Sequence, residues 1–228
     1  MKNIPKLVFI ILVLSILLML KSSNEPFLFN SQFPIFNQFP IGNSIVLNIS
    51  LGLFVSALFY YFTVFIPDYR KRKIIKNNYL NQYKHFKQNM ISHFLSACET
   101  SYPSDLVDTL LDQKEFKSYF SLKATDSEDK WHVVLNKMDH ELLEIMLLEF
   151  EAFKESAGYV LNNIEFNQPE SFEFFHHFNK QIVLLKNITD DYDEIKSFSR
   201  FLWSLFAGWC WIEGYAEKDR FQEMIDSI

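Results

Sequence analysis

Few residues in this 228-residue chain are of a type and spacing suited to covalent or metal chemistry, and each candidate fails on geometry. The nearest approach to a metal motif is the run Asp139-His140-Glu141-Leu142-Leu143-Glu144. A zinc-protease helix needs two histidines four residues apart around a glutamate base, and Glu144 stands where the second histidine belongs. His176 and His177 are adjacent, so on a helix they diverge by about 100° and do not easily share one ion. Cys98 and Cys210 are far apart with no Cys/His cluster to complete a zinc site, and they read as reduced, buried thiols. No GxxxxGK[ST] phosphate loop, GxSxG elbow or GxGxxG turn occurs. The residues point away from an enzyme and supply no cofactor or metal site.

A different pattern carries more information. From Ile41 to Ile66 there is no Asp, Glu, Lys, Arg or His, yet Ser44, Asn48, Gly52 and Ser56 recur at intervals of four. At 100° per residue these four and Thr63 fall within one sector about 120° wide. Gly52 and Ser56 form a small-xxx-small pair that permits close backbone approach, and Asn48 offers a hydrogen bond to a neighbouring helix. The face is expected to pack against the first apolar segment or another copy of the chain. Lining an aqueous leak is a further reading of the same face.

The stripe needs a membrane helix to carry it. Its segment of about 26 residues exceeds the hydrocarbon thickness at 1.5 Å per residue, so tilt or overhang is expected. Phe59, Tyr60, Tyr61 and Phe62 gather near its end as an interfacial belt, and Pro67 is expected to close the span. An earlier apolar run, Leu7 to Leu20, is short for a span of roughly 17–25 residues, but Lys6 and Lys21 can snorkel. It reads as an uncleaved helix over about 4–22; a signal peptide is the competing reading, although no small-x-small cleavage site follows.

Charge sets the orientation. Residues 1–76 hold eight Lys/Arg against Glu25 and Asp68, whereas residues 77–228 hold 14 Lys/Arg against 26 Asp/Glu, a balance of −12. Lys2 and Lys6 flank the first segment, and Arg70, Lys71, Arg72 and Lys73 follow the second. The positive-inside rule puts both termini in the cytoplasm and the Phe-rich connection, residues 23–40, outside. The basic cluster also contacts anionic lipid.

The expected architecture is all-α. A membrane region of residues 1–69, a helical hairpin of two N-terminal transmembrane helices, leads into a juxtamembrane stalk helix over 70–101. An acidic cytosolic helical domain follows over 102–228. Tyr79, Tyr83, Phe86, Met90 and Phe94 share helical spacing, and Leu142, Leu143, Ile145, Met146, Leu147, Phe150 and Phe153 make a broad core face. A final helical pattern is expected from Asp190 to about Ile225. Within it, Trp203, Trp209 and Trp211 read as packing residues of a central core helix, with a membrane-docked face as the alternative. Asp190, Asp191, Asp193 and Glu194 enrich the start of that pattern, where negative charge offsets the helix dipole. A docking patch for a basic partner is the sharper reading. Direct nucleic-acid binding by so acidic a domain is not expected.

With two apolar segments, the ending "FYYFTVFIPDYRKRK" and a small Phe-rich helical domain, the chain resembles the two-transmembrane effectors of bacterial retron antiphage systems. The most specific part of the likeness is Ser56 to Lys73. It implies an inner-membrane protein held inactive by a reverse transcriptase and its RNA–DNA product, then released in abortive infection to permeabilise or depolarise the membrane. The alternative is a membrane-anchored adaptor that recruits a cytosolic partner without a leak.

Overall fold

The computed structural model describes residues 4–22, 43–166, 168–210, 214–216 and 218–228. The connection at 23–40, Lys2 and Trp211 lie outside the described residues. The chain is mostly helical with almost no strand, as its scarce Gly and Pro lead one to expect. It divides into two compact units, residues 1–73 and residues 74–228.

In the first unit, α1 (Ile4–Ser22) packs along α2 (Asn43–Tyr60). One helix is long and apolar enough by length and composition to cross a membrane, and its apolar part lies in α2. The α1–α2 seam follows a spacing of three and four: Val8, Ile11, Ser15, Met19 and Ser22 on α1, Leu47, Ser50, Phe54 and Ala57 on α2. Ser15, Ser22, Ser50 and Ala57 are the buried members, small enough to let the two backbones approach. The Ser15 and Ser50 hydroxyls donate to the carbonyls of Leu12 (2.8 Å) and Val46 (2.7 Å) within their own helices, so neither leaves an unmet polar group in the seam.

Pro67 does not end the helix. One π-helical turn, Tyr61–Phe65, intervenes and α3 (Ile66–Cys98) continues. A proline lacks the N–H that residue 63 would receive in an α-helix, and its ring crowds that carbonyl. Widening the preceding turn accommodates both defects: Ile66 donates to Tyr61, five residues back, and the Thr63 hydroxyl donates to Phe59 at 2.6 Å.

The second unit is built around α3 from Ile74 onward. Tyr79, Tyr83, Phe86, Met90 and Phe94 are all buried, so residues 74–98 form the centre of the helical domain. Around them stand α4 (Leu106–Thr109), α5 (Gln113–Phe120), α6 (Lys130–Asn136), α7 (His140–Asn163), α8 (Pro169–Leu185), α9 (Tyr192–Phe206) and α10 (Arg220–Asp226). The core is an aromatic lattice: Phe86 stacks on Phe153 (centroids 4.8 Å apart), Tyr83 on Phe221 (4.6 Å), and Phe94 meets Phe206 edge-on at 5.2 Å. Such pairs add roughly 0.5–1.5 kcal/mol each beyond area burial.

Aspartates start most of these helices. Asp112, Asp129, Asp139, Asp191 and Asp219 accept backbone N–H bonds at the N-termini of α5, α6, α7, α9 and α10. Each such cap contributes about 1 kcal/mol. Part of the domain's acidity is therefore capping chemistry. Asp139 also separates α6 from α7.

The final helical pattern is interrupted. After α9 the backbone turns at Gly208 (φ +69°), and β1 (Trp209–Cys210) pairs antiparallel with β2 (Gly214–Tyr215) before α10 begins. Gly208 and Gly214 both adopt positive φ, which an L side chain resists. The expected core helix from Asp190 to Ile225 is corrected to helix, hairpin and helix. Within it α9 buries Ile195, Phe198, Ser199, Leu202 and Phe206, while Trp203 and Trp209 are half-buried.

Candidate functional site

The seam with α1 occupies one side of α2, and the polar stripe occupies the other. Ser44, Asn48, Gly52, Ser56 and Thr63 are all exposed. A Cβ built on Gly52 meets nothing within 4 Å. Asn48, Ser44 and Ser56 make no side-chain hydrogen bond among the described residues; only the Thr63 hydroxyl is satisfied, by its own helix. The first segment therefore does not cover this face. Its neighbours Ile45, Ile49, Leu53 and Val55 are exposed too, so an amide and two hydroxyls sit unpartnered on an otherwise apolar surface.

An unpaired polar group on a surface of this kind is costly wherever water is excluded. Two arrangements satisfy the amide of Asn48: a hydrogen bond to a second helix, or water held between helices. The bare Gly52 leaves room beside Asn48 for the close approach of another backbone.

Aromatic and basic residues follow the stripe along the same helix. Tyr61 stacks on Phe65 at 5.0 Å and Phe65 on Tyr69 at 6.3 Å, a ladder of rings at intervals of four, with Phe59 and Phe62 exposed beside it. Arg72 pairs with Asp68 at 3.0 Å, while Arg70, Lys71 and Lys73 are exposed. Rings at the edge of an apolar stretch, then cations, is the order expected at a membrane–water boundary.

The acidic run is largely occupied locally. Asp191 accepts from the Asp193 N–H at 3.0 Å, and Glu194 accepts from the Thr189 N–H and hydroxyl at 2.6 and 2.9 Å. Asp190 and Asp193 remain as exposed carboxylates. Among the described residues no group of His, Cys, Asp or Glu could hold a metal ion. His176 stacks on Phe172, and Cys98 is a half-buried free thiol whose pKa burial pushes up.

Sequence reasoning missed the α1–α2 seam. Its signal was present: Ser15 and Ser22, and Ser50 and Ala57, repeat at seven residues, the period of a packed helical seam. It also missed a buried polar cluster in the second unit. Lys87, 4% exposed, donates to Asp219 (3.1 Å) and to the Leu111 carbonyl (2.7 Å), while the Tyr83 hydroxyl donates to Asp219 at 2.8 Å. Burial, then the Asp219 charge, holds the Tyr83 phenol well above its ordinary range.

Comparison with known proteins found no matching family, no matching curated protein and no matching solved structure.

Proposed function

We propose that this chain is a membrane-damaging effector of a retron-type antiphage system. Its two apolar segments insert in the bacterial inner membrane with both termini cytoplasmic. Copies associate through the stripe on α2, and the assembled helices permeabilise or depolarise the membrane. The observation that carries this reading is the unpartnered Asn48 on the face of α2 turned away from α1. A lone anchor helix has no use for an amide exposed there, whereas an oligomer that holds water or a second amide against it does. The resemblance over Ser56 to Lys73 supplies the biological setting, and the acidic domain is compatible with restraint by a basic ribonucleoprotein.

The adaptor reading draws on the exposed Asp190 and Asp193, which suit a basic partner without any leak. Expression of the chain alone separates the two. An effector collapses the membrane potential and arrests growth, and replacing Asn48, Gly52 and Ser56 together with Leu abolishes both effects. An unaltered potential at high expression defeats the autonomous effector. A reverse-transcriptase gene beside this one supports the retron setting.

A further inference from the structure

The second unit holds a cavity of about 440 Å³ between α6 and α9, capped by Trp209 of β1. Its size lies in the range of small-molecule sites. Two features of its lining stand out against the rest of the domain.

The first is aromatic. Trp131 and Trp203 meet with ring centroids 5.1 Å apart, and Trp209 completes an indole-lined wall. The Trp203 indole N–H donates to the Tyr215 hydroxyl at 3.2 Å, which fixes that ring against the hairpin. None of these indoles is buried, although each is large and apolar. An indole left open to a cavity offers a π surface to a planar guest.

The second is cationic. Lys196 and Arg200 lie one turn apart on α9 and both line the cavity. Neither has a carboxylate partner among the described residues, although residues 77–228 carry a balance of −12. Ser199, 4% exposed, lies between them and makes no hydrogen bond among the described residues. On the far wall Asp129 uses Oδ1 for both the His132 N–H and the His132 ring, which leaves Oδ2 as a free acceptor.

Planar π surface, two cations without a carboxylate partner (the Lys196 ammonium lies 5.7 Å from the Tyr192 ring), a free hydroxyl and a carboxylate acceptor correspond to the parts of one ligand class. We infer that this cavity binds a nucleoside phosphate. The base lies against Trp131 and Trp203, the phosphate engages Arg200 and Lys196, and Asp129 accepts from the ribose or an exocyclic amine. A guanidinium is suited to phosphate because its planar N–H fork can bond two oxygens at once. The inference rests on the second unit alone and stands or falls separately from the effector reading.

The test is isothermal titration calorimetry on the full chain in detergent micelles, with AMP, ATP, GTP and CMP as probes and adenosine and pyrophosphate as half-ligands. At least one nucleotide is expected to bind saturably, and each half-ligand more weakly by about tenfold or more. Arg200→Gln, at an exposed position, is expected to weaken nucleotide binding by about tenfold with an unchanged melting curve. Trp203→Ala is expected to weaken adenosine and nucleotide alike and leave pyrophosphate unaffected. The inference is overturned if no nucleotide binds at millimolar concentration, if Arg200→Gln binds as well as the parent, or if pyrophosphate binds as tightly as the best nucleotide.

Discussion

Asn48 and Ser50 stand two residues apart on α2 and face opposite ways. Ser50 is 1% exposed in the seam with α1 and bonded to its own helix, while Asn48 is exposed and bonded to nothing described. The helix thus presents two faces of different chemistry, one covered by α1 and one exposed.

Substitution should separate them. In a background with Cys98 and Cys210 replaced by Ser, Gly52→Cys is expected to give disulfide-linked dimers in membranes. A hydrogen bond between membrane helices contributes roughly 0.6–2 kcal/mol. Asn48→Leu should therefore weaken association by about 3- to 30-fold, read as lost cross-linking. Ser50→Leu should leave that cross-link intact and disturb the α1–α2 seam instead, at a cost of about 1–3 kcal/mol.

How far the fold could be read in advance depended on what each residue answers to. The spacing of Tyr79, Tyr83, Phe86, Met90 and Phe94 marked a buried helical face because a core imposes that period directly. The stripe on α2 was equally plain as an angle, but an angle does not name a partner. Which face α1 takes is decided by the small residues Ser15, Ser22, Ser50 and Ala57. The hairpin after α9 was hidden because strands of two residues have no period, and only Gly208 and Gly214 hinted at it. Pro67 sits inside the continuing helix because proline is tolerated in the first turn of a helix when the turn before it can widen.

The Lys87–Asp219 pair links α3 to the start of α10. Removing one partner of a buried pair strands the other charge, at a cost of about 3–5 kcal/mol. Asp219→Ala should approach that loss, since the α10 cap and the acceptor for Tyr83 go with it. Lys87→Met combined with Asp219→Asn should recover part of it. Urea unfolding of the full chain in micelles, followed by tryptophan fluorescence, compares the two.

Gly208 is constrained twice. Its φ is +69°, and a Cβ there would stand 2.6 Å from Oε1 of the buried Gln113. Gly208→Ala should destabilise the domain by at least about 1–2 kcal/mol from backbone conformation alone. Adding Gln113→Ala should relieve the clash but not that backbone cost, so the double variant should melt between the parent and Gly208→Ala.

Glu99 joins the end of α3 to α5 and α6, accepting from Lys130 at 2.6 Å and Tyr119 at 3.0 Å. The Lys130 hydrogen bond, with help from Tyr119, holds its carboxyl below the ordinary glutamate value, against the pull of burial. A carboxyl depressed in the folded state stabilises fully above its unfolded pKa and loses that contribution as pH falls through the folded one. Glu99→Gln should therefore melt below the parent at neutral pH. The gap should close as pH drops below the usual carboxylate range, which thermal melts over an acid series would show.

The ring pair Tyr83–Phe221 and the Lys87–Asp219 bridge have a consequence for synthesis. Asp219 is 132 residues downstream of Lys87 and 136 downstream of Tyr83. The ribosome releases α1, α2 and most of the aromatic face of α3 long before it supplies the charge and the ring that close the domain around that face. Until α10 arrives, Tyr79 and Tyr83 lack Phe221, and Lys87 has no anion. The first unit and the aromatic face of α3 are thus made while the domain is still open, and the domain closes only once α10 supplies Asp219 and Phe221.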